Sequence, residues 1–156
     1  MLILKGTTDT LQAVLKATVA TAQLQIYTCW RGLTTATYTP DRLESQTNNT
    51  TAVDIVPAPG ASTQCAIDLV NIFNADSASA TVTIRFNDST NIRGLMTVSL
   101  APGETLQYID GKGWNVYDVN GQLKNLNSVA PYIANNLNIV VLASDVVNNN
   151  ATANTI

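Results

Sequence analysis

ATVTIRFND, residues 80–88, and after a short gap GLMTVSLAPGETLQYIDGKGWNVYD, residues 94–118, decide how the chain is read. Val82, Ile84 and Phe86 alternate with Thr81, Thr83 and Arg85, and Met96, Val98 and Leu100 alternate with Leu95, Thr97 and Ser99. This two-residue period is that of half-buried strands. Ala101-Pro102-Gly103-Glu104 then fits a type II turn, with proline presetting φ and glycine accepting a positive one. Leu106 and Tyr108 lead to Asp110-Gly111, a dipeptide suited to a tight hairpin with positive φ at both central positions. Trp114, Val116 and Tyr117 begin the return strand, so the expectation is a four-strand antiparallel meander, closed by Asn120-Gly121.

Outward from this stretch the same grammar continues. Cys65 to Phe73 is nearly unbroken in apolar residues, which predicts a central strand covered on both faces. A strand over 51–56 is stopped by Pro57-Ala58-Pro59-Gly60. Leu24, Ile26, Thr28 and Trp30 alternate with Gln25, Tyr27, Cys29 and Arg31, a clear strand. Residues 10–18 suit a strand with Leu11, Ala13 and Leu15 on one face. Their Ala, Leu and Gln also suit a helix, but the threonines at 10, 18 and 21 favour strand. Residues 2–5 form a short strand. From Gly32 to Asn49 the chain reads as irregular and polar, extended near Tyr38 and turning at Pro40.

After Lys124 the composition shifts to Asn, Ser and Ala. Residues 125–137 read as a linker, and residues 138–156 as the start of a second β module cut short or an inter-subunit strand. Ile139, Val141 and Leu142 are the candidates for such a strand, since an apolar strand left unpaired is a liability. Residues 1–124 form the main module. The fold class is therefore all-β, an antiparallel β-sandwich, jelly-roll-like, with an extended C-terminal linker and strand.

The 156 residues suit one domain with an extension; 46% are hydrophobic and 12% charged, so Thr, Ser, Asn and Gln must cover much of the surface. The net charge is −3, and eight basic residues scattered singly argue against nucleic acid. No apolar run approaches the roughly 20 residues that cross a bilayer. Lys5 and Gly6 interrupt the opening too early for a signal peptide, so synthesis in a cytoplasm is expected.

Histidine is absent, which removes His-based nucleophilic triads and the commonest metal ligand. Cys29 and Cys65 lack metal-ligand spacing and read as separate thiols, with a disulfide left open if their strands are neighbours. Glu44 and Glu104 are the two glutamates; Glu104 reads as a solvated turn residue, and a paired-carboxylate glycosidase is disfavoured. Asp76, Asp88, Asp110 and Asp118 lie at turns, where Ca²⁺ ligation competes with plain turn formation, and the latter is preferred. No enzyme, cofactor or metal site is expected. Among Tyr27, Trp30, Tyr38, Tyr108, Trp114 and Tyr117, core packing is preferred for both tryptophans; several rings exposed on one face would instead suit sugar stacking.

GTTDTLQAVL (6–15), TYTPDR (37–42), TTAVDIVPAPGASTQCAIDLVNIFNAD (50–76), ATVTIRFND (80–88) and TVSLAPGETLQYIDGKGWNVYDVNGQLK (97–124) together resemble a family of tailed-bacteriophage virion accessory proteins. The chain departs from that pattern at Cys65, where a basic or polar residue is expected. The tail NIVVLASDVVNNNATANTI (138–156) is similar to the opening strand of a second β module in longer phage proteins. The resemblance implies a non-catalytic structural protein of the virion, assembled in the host cytoplasm, that decorates the capsid or anchors a head fibre. Its partners would be the major capsid or other virion proteins and its own copies, as a homotrimer. Leu2, Leu4 and Lys5 are the candidate attachment residues. The alternative is a tail-fibre or receptor-binding module that takes a host-surface glycan.

Overall fold

The computed structural model describes residues 1–124. Among the described residues there are ten strands: β1 (Leu2–Leu4), β2 (Thr10–Leu15), β3 (Gln25–Leu33), β4 (Tyr38–Gln46), β5 (Val53–Val56), β6 (Gln64–Phe73), β7 (Ala80–Asn87), β8 (Ile92–Leu100), β9 (Thr105–Ile109) and β10 (Gly113–Tyr117). They form two antiparallel sheets packed as a sandwich. The large sheet runs β10-β9-β6-β3-β4 with β1 also on β6, and the small one β5-β2-β7-β8. β2 pairs with β7 and β3 with β6, as in a long hairpin wrapped into a jelly roll. By its contacts the chain divides into units Met1–Lys124 and Asn125–Ile156. The linker and the strand residues Ile139, Val141 and Leu142 lie outside the described residues.

The alternation sets the core. Leu11, Ala13 and Leu15 from β2, Ile26 and Trp30 from β3, Val70 and Ile72 from β6, Val82 and Ile84 from β7, and Leu106 and Val116 from β9 and β10 are all buried together. Residues 10–15 are strand rather than helix, because only extended backbone lets β2 pair with both β5 and β7.

Four expectations need correction. The stretch 80–118 is two hairpins, not one meander. β7 pairs with β8 in the small sheet and β9 with β10 in the large one, and the turn 101–104 carries the chain between sheets. Its local geometry is as read: Gly103 has φ +79° and the Glu104 N–H donates to the Ala101 carbonyl at 3.1 Å. Second, the β9–β10 turn has positive φ at Gly111 and Gly113, not at Asp110. The Asp110 N–H donates to the Asp68 carbonyl at 2.9 Å, which extends the β6 ladder and holds Asp110 in negative-φ backbone.

Third, residues 38–46 are a nine-residue strand. β4 is exposed along most of its length and contains Pro40, so it shows no apolar alternation; Pro40 is tolerated because an edge strand can spare a ladder donor. Fourth, β6 is buried by the small sheet on one face only, and Leu69, Asn71 and Phe73 remain half-exposed on the other. A bulge hides this in the sequence. Cys29 faces Leu69 while the next residue, Trp30, faces Ile67, so Asp68 is the unmatched residue and the inward phase shifts there.

Candidate functional site: the outer face of the large sheet

Three of the four carboxylates considered as metal ligands are spent on backbone, and the fourth on cations. Asp76, nearly inaccessible, accepts from the N–H groups of Ala20 (2.8 Å) and Thr21 (2.7 Å) and from the Thr21 hydroxyl (2.8 Å). The Ala20 N–H first, with those of Thr21 and Ala22, holds its carboxyl well below the usual carboxylate range. Asp88 accepts from Thr90 and Asn91, and Asp118 from Asn120 and Gln122. Asp110 lies 3.4 Å from Arg31, which also pairs with Asp68, and 3.3 Å from the Met1 ammonium. No three His, Cys, Asp or Glu residues gather to hold a metal among the described residues.

Glu104 is buried rather than solvated. Its carboxylate accepts the Ala101 N–H at 2.8 Å and the Lys124 ammonium at 2.7 Å. Burial opposes its charge, yet the Lys124 partner and the Ala101 N–H outweigh burial and leave its carboxyl below the usual range. Cys65 is buried and Cys29 half-buried, and both are free thiols. Their strands are neighbours, but Gly32 faces Cys65 and Leu69 faces Cys29, so the register separates them.

The candidate attachment residues divide. Leu4 is 2% exposed in the core, Leu2 is half-buried against it, and Lys5 is exposed. The Leu2 N–H donates to the Tyr108 hydroxyl at 3.1 Å, which ties β1 to the sheet. Of the three, only Lys5 is presented outward.

The aromatics also divide. Trp30 and Tyr108 are buried, and Trp114 packs on Tyr108 with ring centres 5.1 Å apart. Tyr38 is exposed on the edge strand. Tyr27 and Tyr117 fall on the outer face of the large sheet, together with Phe73, which the reading of β6 as covered on both faces had missed.

That face is ordered by register. Glu44, Tyr27, Asn71, Gln107 and Asn115 form one row across β4, β3, β6, β9 and β10. Phe73, Thr105 and Tyr117 belong to the next row. Gln107 donates to the Asn71 side-chain oxygen at 3.3 Å. Two shallow depressions share Asn71 and Phe73: one of about 520 Å³ bounded by Tyr117, and one of about 320 Å³ bounded by Tyr27. The signal that could have found Phe73 was the odd phase of 69, 71 and 73, had Asp68 been recognised as a bulge.

Comparison with protein-family models, curated proteins and solved structures gives no match.

Proposed function

We propose that the chain is a non-catalytic structural module of a tailed-phage particle that decorates the capsid or anchors a head fibre through protein–protein contacts, assembling as a homotrimer. The observation that carries this reading is where the resembling motifs lie. VPAPGAST spans the β5–β6 connection, APGE the passage from β8 to β9, DGKG the β9–β10 turn and NGQLK the closing turn after β10. The resemblance thus includes four corners that define a particular wrapping of the sandwich, in addition to the strands that they join. Glu104 and Asp118 are engaged in holding two of those corners, which suits a scaffold.

The test is to mix the purified full chain with assembled heads lacking it. Co-sedimentation with the heads, matching density on the head surface, and a trimeric mass by light scattering are expected. Absence from particles together with no binding to heads overturns the reading, and a stable monomer at assembly concentrations overturns the trimer.

A further inference from the structure

We propose that the outer face of the large sheet binds a neutral oligosaccharide, laid across the strands over Tyr117, Phe73 and Tyr27. This goes beyond attachment to a particle and does not depend on it.

The spacing of the rings comes from the register. Phe73, Thr105 and Tyr117 are in line across β6, β9 and β10, which puts Phe73 and Tyr117 two strand spacings apart, about 9.5 Å. Tyr27 is the diagonal neighbour of Phe73, at about 7–8 Å. The Phe73–Tyr117 interval is close to the repeat of a disaccharide along an extended chain, and Tyr27 flanks Phe73 at a shorter distance. The apolar C–H face of a pyranose packs on an aromatic ring, while its hydroxyl edge needs donors and acceptors. Asn71, Gln107 and Asn115 supply both from the adjoining row. The Gln107–Asn71 bond fixes two of those amides in place before any ligand arrives.

Charge selects among ligands. Between Tyr27 and Tyr117 neither row contains an ionisable acid or base. Glu44 stands at the exposed β4 end with Arg42 3.9 Å from it, and Arg31 and the Met1 ammonium together balance Asp68 and Asp110 farther along the sheet. A polyanion would find one exposed cation, Arg42 beside Tyr27 and Glu44, and none between Tyr27 and Tyr117, whereas a neutral, hydroxyl-rich chain loses no ionic solvation there. A protein partner would be expected to bring an apolar core with charges excluded; the central row here is amide.

The experiment uses the purified full chain, titrated by calorimetry and ¹⁵N-NMR with hexaoses of β-1,4-glucose, α-1,4-glucose and β-1,4-N-acetylglucosamine, neutral bacterial surface polysaccharides, and polygalacturonate as the charged control. At least one neutral probe is expected to bind, with Tyr117→Ala and Tyr27→Ala each weakening it about tenfold or more. Tyr117→Phe and the remote Asp54→Asn should leave binding within about twofold. If Tyr117→Ala does not fold, Tyr27→Ala in the second depression and Gln107→Leu decide the outcome. The proposal is overturned if no neutral probe binds at millimolar concentration, if the alanine variants bind unchanged, or if polygalacturonate binds as tightly. It is also overturned if Tyr27→Ala and Tyr117→Ala dissociate a self-associated form with no glycan bound, which would make the face a protein interface. Binding to assembled heads, measured on the same variants, separates this outcome from the attachment reading.

Discussion

Thr28 places a hydroxyl, fully buried, at the seam between the two sheets. It donates to the Ile55 carbonyl of β5 at 2.6 Å, so one side chain of the large sheet satisfies the backbone of the small sheet where β3, β4 and β5 meet. Thr28→Val keeps the shape and removes the donor, leaving that carbonyl unsatisfied. A loss of about 1–3 kcal/mol in urea unfolding is expected; a loss indistinguishable from zero would mean water replaces the bond. The carboxylates make a second residue-scale claim. Asp76, Asp88 and Glu104 all titrate lower folded than unfolded. Their ionised forms therefore stabilise the fold above the unfolded values, about 4, and that contribution is lost as pH falls through the lower folded values. Unfolding midpoints should hold steady from about pH 8 to 5 and drop below about 4. Asp76→Asn should be less stable at neutral pH and should show a shallower acid decline.

At the scale of the element, the strands with regular alternation were legible and those defined by their neighbours were not. β3, β7 and β9 carry buried residues at every second position, apolar but for Thr28, because one face meets the other sheet. β4 lies at an edge, exposed nearly throughout with Leu43 its one residue packed on the core, so its sequence shows no alternation and its strand state follows from the β3 ladder. The candidate face was half legible for a related reason: Tyr27 stands in the polar phase of its strand, but Tyr117 is adjacent to the inward Val116 with nothing to mark its phase, and the Asp68 bulge conceals that of Phe73. The same bulge marks where the β6 edge changes partner, from β9 over Leu69–Phe73 to β1 opposite Cys65, Ala66 and Ile67. β1 is only three residues long, and its hold comes mostly from Leu4 in the core. Leu4→Ala should cost about 2–4 kcal/mol. Hydrogen exchange should show faster exchange in β1 and the facing part of β6 than in β9, and uniform exchange across all three would contradict a separately held strand.

The whole molecule is organised by where the chain changes sheet. The passages β2–β3, β4–β5, β6–β7 and β8–β9 are linked to one another by hydrogen bonds that converge on a few side chains. Asp76 of the β6–β7 passage holds residues 20–22 of the β2–β3 passage, and Asn49 of the β4–β5 passage accepts from Val19 and Gln23. Asn74, fully buried, joins the remaining pair. Its side-chain amide donates to the carbonyls of Ala78 (3.0 Å) and Leu100 (2.9 Å), while its backbone exchanges bonds with Gly103 and Glu104, each at 2.9 Å. Neither sheet can open at this end without breaking bonds that belong to the other. Unfolding should therefore be a single transition, with the fluorescence of Trp30 and Trp114, both in the large sheet, coinciding with far-UV circular dichroism, which reports both sheets. Asn74→Ala leaves two carbonyls without donors and should cost about 2–4 kcal/mol while the two probes still coincide. If fluorescence and dichroism separate in the wild-type chain, the sheets are independent units. If they separate only in Asn74→Ala, that asparagine is what couples the two sheets.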